Sequence, residues 1–270
     1  MRVNTLYFSA TGTTKKVVQH IAEQISLNLN KEISVNHYDF TLPEFRQNPP
    51  VYSSEDIVVI GVPVYAGRVP NVLLNFLSQL NGHGALAVGI VLYGNRNYDD
   101  ALIELQNIVS EKSFTLIGAG AFIGEHSFSK ILAKDSPNPS DMLIAQFFAK
   151  SISSKILEGN IKHSVNVRGN SPLRPYYRPK DPNGNPVDIR KVVPKTNERC
   201  NNCKICVSVC PMGSIKEADV TIVSGVCIKC GACIKKCPQD AKYYDDIGYL
   251  RHKTELEVDF AQRKDPEIFI

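Results

Sequence analysis

"FSATGTTKK", residues 8–16, decides how the first half of this chain is read. The β-forming run RVNTLYF at 2–8 leads into it, and from Thr13 apolar residues recur at Val17, Val18, Ile21, Ile25 and Leu29, the spacing of one helix face. The stretch therefore reads as strand, hydroxyl-rich turn, helix. A Walker A loop needs G-x-x-x-x-G-K-[ST]; here a single glycine is followed by two threonines before Lys15. That excludes a triphosphate cradle. Hydroxyls and backbone N–H groups at a helix N-terminus suit one monophosphate dianion, though the same residues would also make an ordinary Ser/Thr-rich helix cap.

Working outward, EISVNHYDF at 32–40 is strand-like, and DIVVIGVPV at 56–64 is the continuous apolar run of a strand buried on both faces. A helix is expected after Pro70, carrying Val72, Leu73, Phe76, Leu77 and Leu80. ALAVGIVLY at 85–93 reads as another buried strand, after which Asp99 and Asp100 open a helix with Leu102, Leu105, Ile108 and Val109 on one face. FTLIGAGAFIG is a fifth strand, and Pro139, Ser140 and Asp141 introduce a last helix over 140–157. Five strands alternating with helices predict an α/β fold with a parallel sheet covered on both faces. Ligands in such sheets sit beyond the carboxyl ends of the strands, where three loops fall: 9–14, 63–68 and 94–99.

The chain of 270 residues fits one large domain, or one domain plus a small one, and its 43% hydrophobic content supplies a core. A net charge of +4 is too small to argue for nucleic acid. The longest apolar run, ALAVGIVLYG at 85–94, is too short to span a bilayer. MRVNTLYF runs straight into a strand pattern with no signal peptide, so the expectation is a soluble cytoplasmic protein.

Composition changes after residue 160. Segment 160–195 holds six prolines and an excess of six positive charges, which predicts a linker over 159–195 with little regular structure. Either it is a solvated tether, or Arg174, Tyr176, Tyr177 and Arg178 pack between domains or meet an anionic partner.

All eight cysteines fall within 200–237, a concentration that points to metal ligation and away from a disulfide scaffold. A shift of 27 residues lays Cys200, Cys203, Cys206, Cys210 and Pro211 onto Cys227, Cys230, Cys233, Cys237 and Pro238. Each half is C-x2-C-x2-C-x3-C-P; structural zinc favours paired C-x2-C knuckles instead. Over 196–245 the pattern resembles the bacterial two-cluster ferredoxins. The resemblance implies two [4Fe–4S] clusters, held by Cys200, Cys203, Cys206 with Cys237, and by Cys227, Cys230, Cys233 with Cys210. Lys229, Lys235 and Lys236 lie among the ligands and either favour the reduced cluster electrostatically or form a solvated face. Residues 246–270 are expected to be a C-terminal tail.

S-x-T-G-x-T directly after the first strand resembles the flavodoxins, over residues 1–158. That implies FMN, with Ser9, Thr11, Gly12, Thr13 and Thr14 on its phosphate. The likeness extends to PVYAGRVP (63–70) and YGNRNYDDAL (93–102), matching the loops that clasp the isoalloxazine. These contribute Pro63, Val64, Tyr65, Ala66 and Gly67, then Tyr93, Gly94, Asn95, Arg96 and Tyr98. Tyr65 or Tyr98 could stack on the ring, Gly67 and Gly94 would let backbone amides approach it, and Arg68 and Arg96 would favour reduced flavin. GAGAFIG at 118–124 is G-x-G-x-x-x-G inside a strand, so no NAD(P) site is supported. EHSFS at 125–129 could face the flavin or the ferredoxin unit, although a lone His126 is commonly just a hydrogen-bonded loop residue.

Together the parts resemble the fused flavodoxin–ferredoxin proteins of anaerobes. The implied function is electron transfer between the clusters and FMN, coupling one- and two-electron steps, with redox proteins or a small acceptor as partners and a homodimer open. The sequence also leaves two alternatives, an FMN-dependent reductase of a small acceptor and a non-enzymatic redox-sensing module.

Overall fold

A computed structural model describes residues 1–29, 34–161 and 164–270. Five parallel strands form the sheet in the order β2-β1-β3-β4-β5, with β1 at Arg2–Tyr7, β2 at Val35–Asp39, β3 at Asp56–Pro63, β4 at Leu86–Tyr93 and β5 at Thr115–Ile123. Residues 32 and 33 of the expected second strand, and 162 and 163 of the linker, lie outside the described residues. The helices α1 (Thr13–Leu29), α2 (Asn71–Leu77), α3 (Ala101–Glu111) and α4 (Pro139–Leu157) fall where the periodicity places them, except that α2 ends before Leu80.

Alternation along each strand divides the core. Val3, Ile57, Val59, Val88 and Ile90 face α1 and α4, meeting Val17, Ile21, Phe148 and Ile152. Leu6, Val58, Ile60, Val62 and Ala87 face α2 and α3, meeting Leu73, Phe76, Leu102 and Leu105. All eight residues of β4 are buried, as its unbroken apolar run requires. A capping box sharpens the start of α4: Asp141 N–H donates to Asn138 Oδ1 at 3.0 Å, and Asn138 N–H donates back to Asp141 Oδ2 at 2.8 Å.

The cysteine-rich unit carries β6 (Lys195–Thr196), α5 (Ile205–Ser208), α6 (Ala232–Lys235) and β7 (Lys242–Tyr243). Its backbone keeps the 27-residue repeat: Asn202 and Lys229 share a φ of 56°, and Lys204 and Gly231, which start α5 and α6, have φ of 61° and 74°.

The last segment corrects the expectation of a tail over 246–270. Helix α7 (Ile247–Asp259) buries Tyr249, His252 and Leu256, and β8 (Glu267–Phe269) pairs antiparallel with Ala119–Ala121. The sheet thus gains a sixth strand that covers the free edge of β5. Only three residues of β8 pair, too few to show as a strand pattern.

The linker is irregular, as its prolines dictate, but it is strapped to the first domain. Arg174 donates to Asp100 from N, Nε and Nη2, and Asn170 donates to the same carboxylate from N and Nδ2. The Tyr176 hydroxyl donates to Val69 O at 2.8 Å. Of the two sequence readings of this segment, the packed one describes it.

Candidate functional site

The loop after β1 closes one small cavity. Thr11, Thr13 and Thr14 line it beside Pro63, Val64 and Tyr65 from the loop after β3, Tyr93 and Gly94 after β4, and Gly124 to Ser127 after β5. No hydrogen bond of the three threonine hydroxyls is found among the described residues. They sit where the first N–H groups of α1 lack intrahelical acceptors. Ser9 is used differently. Its Oγ accepts from Lys15 N–H at 2.9 Å and its own N–H donates to Thr41 Oγ1 at 2.7 Å, so Ser9 caps α1 and does not line the cavity. Gly12 stays off the wall too; its φ of +99° lets the loop turn into the helix.

This cavity abuts a larger one of about 650 Å³, within the range of ligand pockets. Val64, Tyr65, Tyr93, Gly94, His126 and Ser127 line both. Ala66, Gly67 and Arg96 add to the larger wall, so the clasping loops converge as their positions beyond the strands predict. Gly67 has φ of +78°, and a Cβ there would lie 2.3 Å from Asp99 Oδ2.

Three expected contributors are drawn elsewhere. Asn95 is buried and turns its amide to the C-terminal segment, donating to Phe260 O at 2.7 Å and Gln262 O at 2.9 Å and accepting from Lys264 N–H at 2.9 Å. Tyr98 is buried, donates its hydroxyl to Glu267 Oε2 at 2.9 Å, and lines neither cavity. Of the two tyrosines offered for stacking, only Tyr65 faces the space. Arg68 is held by Glu104, with both nitrogen–oxygen contacts at 2.7 Å, and lies over the Tyr176 ring at 4.9 Å, so its charge is neutralised off the cavity. Arg96 lines the cavity, pairs with Asp99 and stacks on Tyr177 at 4.5 Å.

The far wall was legible in the sequence only in part, through the reading that Tyr177 and Arg178 pack between domains. It comes from the linker (Tyr177, Arg178, Val187, Ile189) and from His252 and Leu256 of α7. The signal for it was the Arg and Tyr content of the linker; Val187, Ile189 and the two α7 residues carried none.

The cysteines separate into two cavities. Cys200, Cys203, Cys206 and Cys237 line one; Cys210, Cys227, Cys230 and Cys233 line the other. This grouping has the crossed arrangement that the resemblance implies. In each half an N–H donates to the fourth cysteine's sulfur, Ser214 N to Cys210 Sγ at 3.4 Å and Ala241 N to Cys237 Sγ at 3.3 Å. Burial pushes the Cys230 thiol up to about 12, and burial likewise raises Cys233 and Cys206. Thiolates so placed need compensating cations, which iron supplies, and the all-sulfur donor set fits iron–sulfur chemistry. Among the described residues, no three His, Cys, Asp or Glu side chains are grouped to hold a single metal ion.

The second set is the inner one. Cys230 and Ala232 belong to the same buried cluster as the β-strand core and Tyr65, and Cys230 also lines the threonine cavity. The lysines of this half are not one solvated face. Lys229 is buried and donates from Nζ to Arg190 O and Cys227 O, both at 2.8 Å, while burial lowers its pKa. Lys235 pairs with Glu125 at 2.9 Å, and only Lys236 is exposed.

With this geometry in hand, residues 5–97 match the family described as a flavodoxin domain, and residues 199–242 match the 4Fe-4S dicluster domain. The chain therefore carries a flavodoxin domain followed by a 4Fe-4S ferredoxin-type domain. Among curated relatives, one component of the tetrathionate reductase of Archaeoglobus fulgidus is 38% identical over 67 residues, covering 24% of this chain and 32% of its own length. A ferredoxin of Rickettsia felis is 41% identical over 49 residues, covering 17% and 45%. The chain thus spans a third to under half of the length of these two relatives. Similar solved structures include a flavodoxin from the domain Archaea, 16% identical over 58% of this chain and 99% of that one with a TM-score of 0.36. A Streptococcus pneumoniae flavodoxin is 17% identical over 57% and 99%, with a TM-score of 0.41. Among the described residues, no helix is long and apolar enough to cross a membrane.

Proposed function

We propose that this chain is an electron-transfer flavo-iron–sulfur protein, with FMN at the 1–158 domain and two [4Fe–4S] clusters on the 196–245 unit. When bound, FMN exchanges two electrons and each cluster one, so the pair couples two-electron to one-electron chemistry. The observation that carries this reading is the shared wall: Cys230 of the inner cysteine set lines the same cavity as Thr11, Thr13 and Thr14, against Tyr65. Thr11, Thr13 and Thr14 would take the phosphate, and Tyr65, Gly67 and Gly94 would border the ring. Linker residues and α7 complete the wall of the larger cavity, beside the loops that follow β3, β4 and β5. Redox proteins are the partners this implies, in the cytoplasm.

The test is an anaerobic preparation with FMN, iron and sulfide counted per chain. One FMN and eight irons support the reading; four irons, or zinc, overturn the cluster assignment. Rapid reduction then checks the coupling, because clusters and flavin that equilibrate only with added mediator would exclude it. A second reading, reduction of a small acceptor by the flavin, draws on the roughly 650 Å³ cavity and is distinguished by turnover with candidate acceptors.

A further inference from the structure

We propose that His126 contacts the flavin, donating a hydrogen bond from Nε2 to a nitrogen or carbonyl of the ring, and thereby sets the flavin's potential beside the inner cysteine set. The inference rests on the reading of the two adjoining cavities as the FMN site.

His126 stands at the seam of those cavities and lines both. Its tautomer follows from one contact: Phe128 N–H donates to His126 Nδ1 at 3.1 Å. Nδ1 is then the acceptor, and the neutral ring carries its proton on Nε2. No acceptor for that proton is found among the described residues. An N–H with no protein acceptor, on a ring that borders a ligand-sized space, is free to donate to a ligand held there.

The ring is also held in place. His126 N–H donates to Leu132 O at 3.2 Å, and the imidazole meets the Phe128 ring edge-on at 5.2 Å. On its other side lies Gly94, where a Cβ would come within 2.4 Å of His126 Cδ2, the carbon bonded to Nε2. Gly94 has no positive φ, so this close approach explains its glycine. Gly94 thus packs against the Cδ2–Cγ edge and the Cα of His126 and holds the imidazole beside the loop that borders the ring cavity. Burial, with Lys235, His252 and Arg96 nearby, pushes the imidazole pKa down to about 3, so the donor stays neutral at working pH. A fixed neutral donor stabilises negative charge on a reduced ring more than it stabilises the oxidised ring.

The experiment uses the full-length holo-protein prepared anaerobically, with FMN content and flavin midpoint potential measured for wild type, His126→Phe and His126→Gln. Phenylalanine removes the donor, and glutamine restores one. The expected result is a lower potential in His126→Phe, at least a tenfold loss in preference for reduced over oxidised flavin, about 30 mV for a two-electron couple. His126→Gln is expected to stay within threefold of wild type. Should phenylalanine block folding, His126→Leu takes its place. Equal shifts in the donor and non-donor variants, or no shift with FMN bound, overturn the inference. Wild-type protein that binds no FMN overturns the underlying reading instead, and the FMN count separates the two failures.

Discussion

Lys235 Nζ lies 2.9 Å from Glu125 Oε2, joining the second cysteine repeat to the loop after β5. Burial would raise the Glu125 carboxyl, but the hydrogen bond and charge of Lys235 outweigh it and hold the group below its ordinary value. The pair sits one residue from His126 and two from Cys233, at the joint between the two domains.

Glu125→Lys or Lys235→Glu alone is expected to lower the stability of the holo-protein and slow cluster–flavin equilibration. The double exchange should recover most of both. With Glu125 37% exposed, screening limits the pair to about 0.5 kcal/mol. Repulsion in the single variants adds to this. A double-mutant cycle on thermal unfolding measures it, and single variants indistinguishable from wild type would remove the pair's role.

Asp100→Asn is predicted to loosen the linker. Its carboxylate is fully buried and accepts from Asn170 and Arg174, and the hydrogen bond from Arg174 is the main cause of a pKa far below the ordinary carboxylate range. Arg174 is 53% exposed and can return to water, so the expected loss is about 1–2 kcal/mol, less than for a sealed pair. A depressed folded pKa stabilises above the unfolded value of about 4, and that part is lost as pH falls below it. Faster proteolysis within 164–178 at neutral pH is the direct measurement.

Gly231→Ala separates backbone strain from contact. Lys204 occupies the equivalent repeat position at φ of 61°, close to Gly231 at 74°, so the fold admits a side chain at this conformation. At 231, however, a Cβ would lie 2.5 Å from Ser127 O, in the loop carrying His126. We expect Gly231→Ala to disturb the domain joint and the flavin spectrum. Gly12→Ala, with φ of +99° and open space around it, should cost only the left-handed strain of about 1–2 kcal/mol. Equal behaviour of the two variants in thermal unfolding and flavin absorption would contradict this.

Tyr65→Ala is expected to weaken FMN binding more than tenfold, whereas Tyr98→Phe should leave FMN affinity within about twofold. Tyr98→Phe instead loses the hydroxyl contact to Glu267 and about 1 kcal/mol of stability. Flavin fluorescence titration of deflavinated protein, alongside thermal unfolding, reads both. A greater affinity loss in Tyr98→Phe than in Tyr65→Ala would reverse the assignment of the ring-side tyrosine.

Local regularities made the frame of this protein legible in its sequence. The apolar runs at 56–64 and 85–93, the helical spacing after Thr13 and the 27-residue cysteine repeat each lie within a few tens of residues, where period and spacing act directly. They gave the parallel sheet, the converging loops and the doubled cysteine motif, while the crossing of the fourth cysteines came from the resemblance to two-cluster ferredoxins. Tertiary structure alone decided which groups those loops present. Asn95 is claimed by Phe260, Gln262 and Lys264, Tyr98 by Glu267, and Asp100 by Asn170 and Arg174, each across more than 65 residues of chain. Ser9 is claimed by the cap of its own helix, a competition between two uses of one hydroxyl that composition cannot rank. A hydrogen-bonding side chain has few partners to give, and which ones it meets is fixed by packing between segments whose sequences carry no mark of each other. His126 acquires its place partly in the same way, from Gly94 on another loop, and partly from the Phe128 N–H two residues on in its own loop.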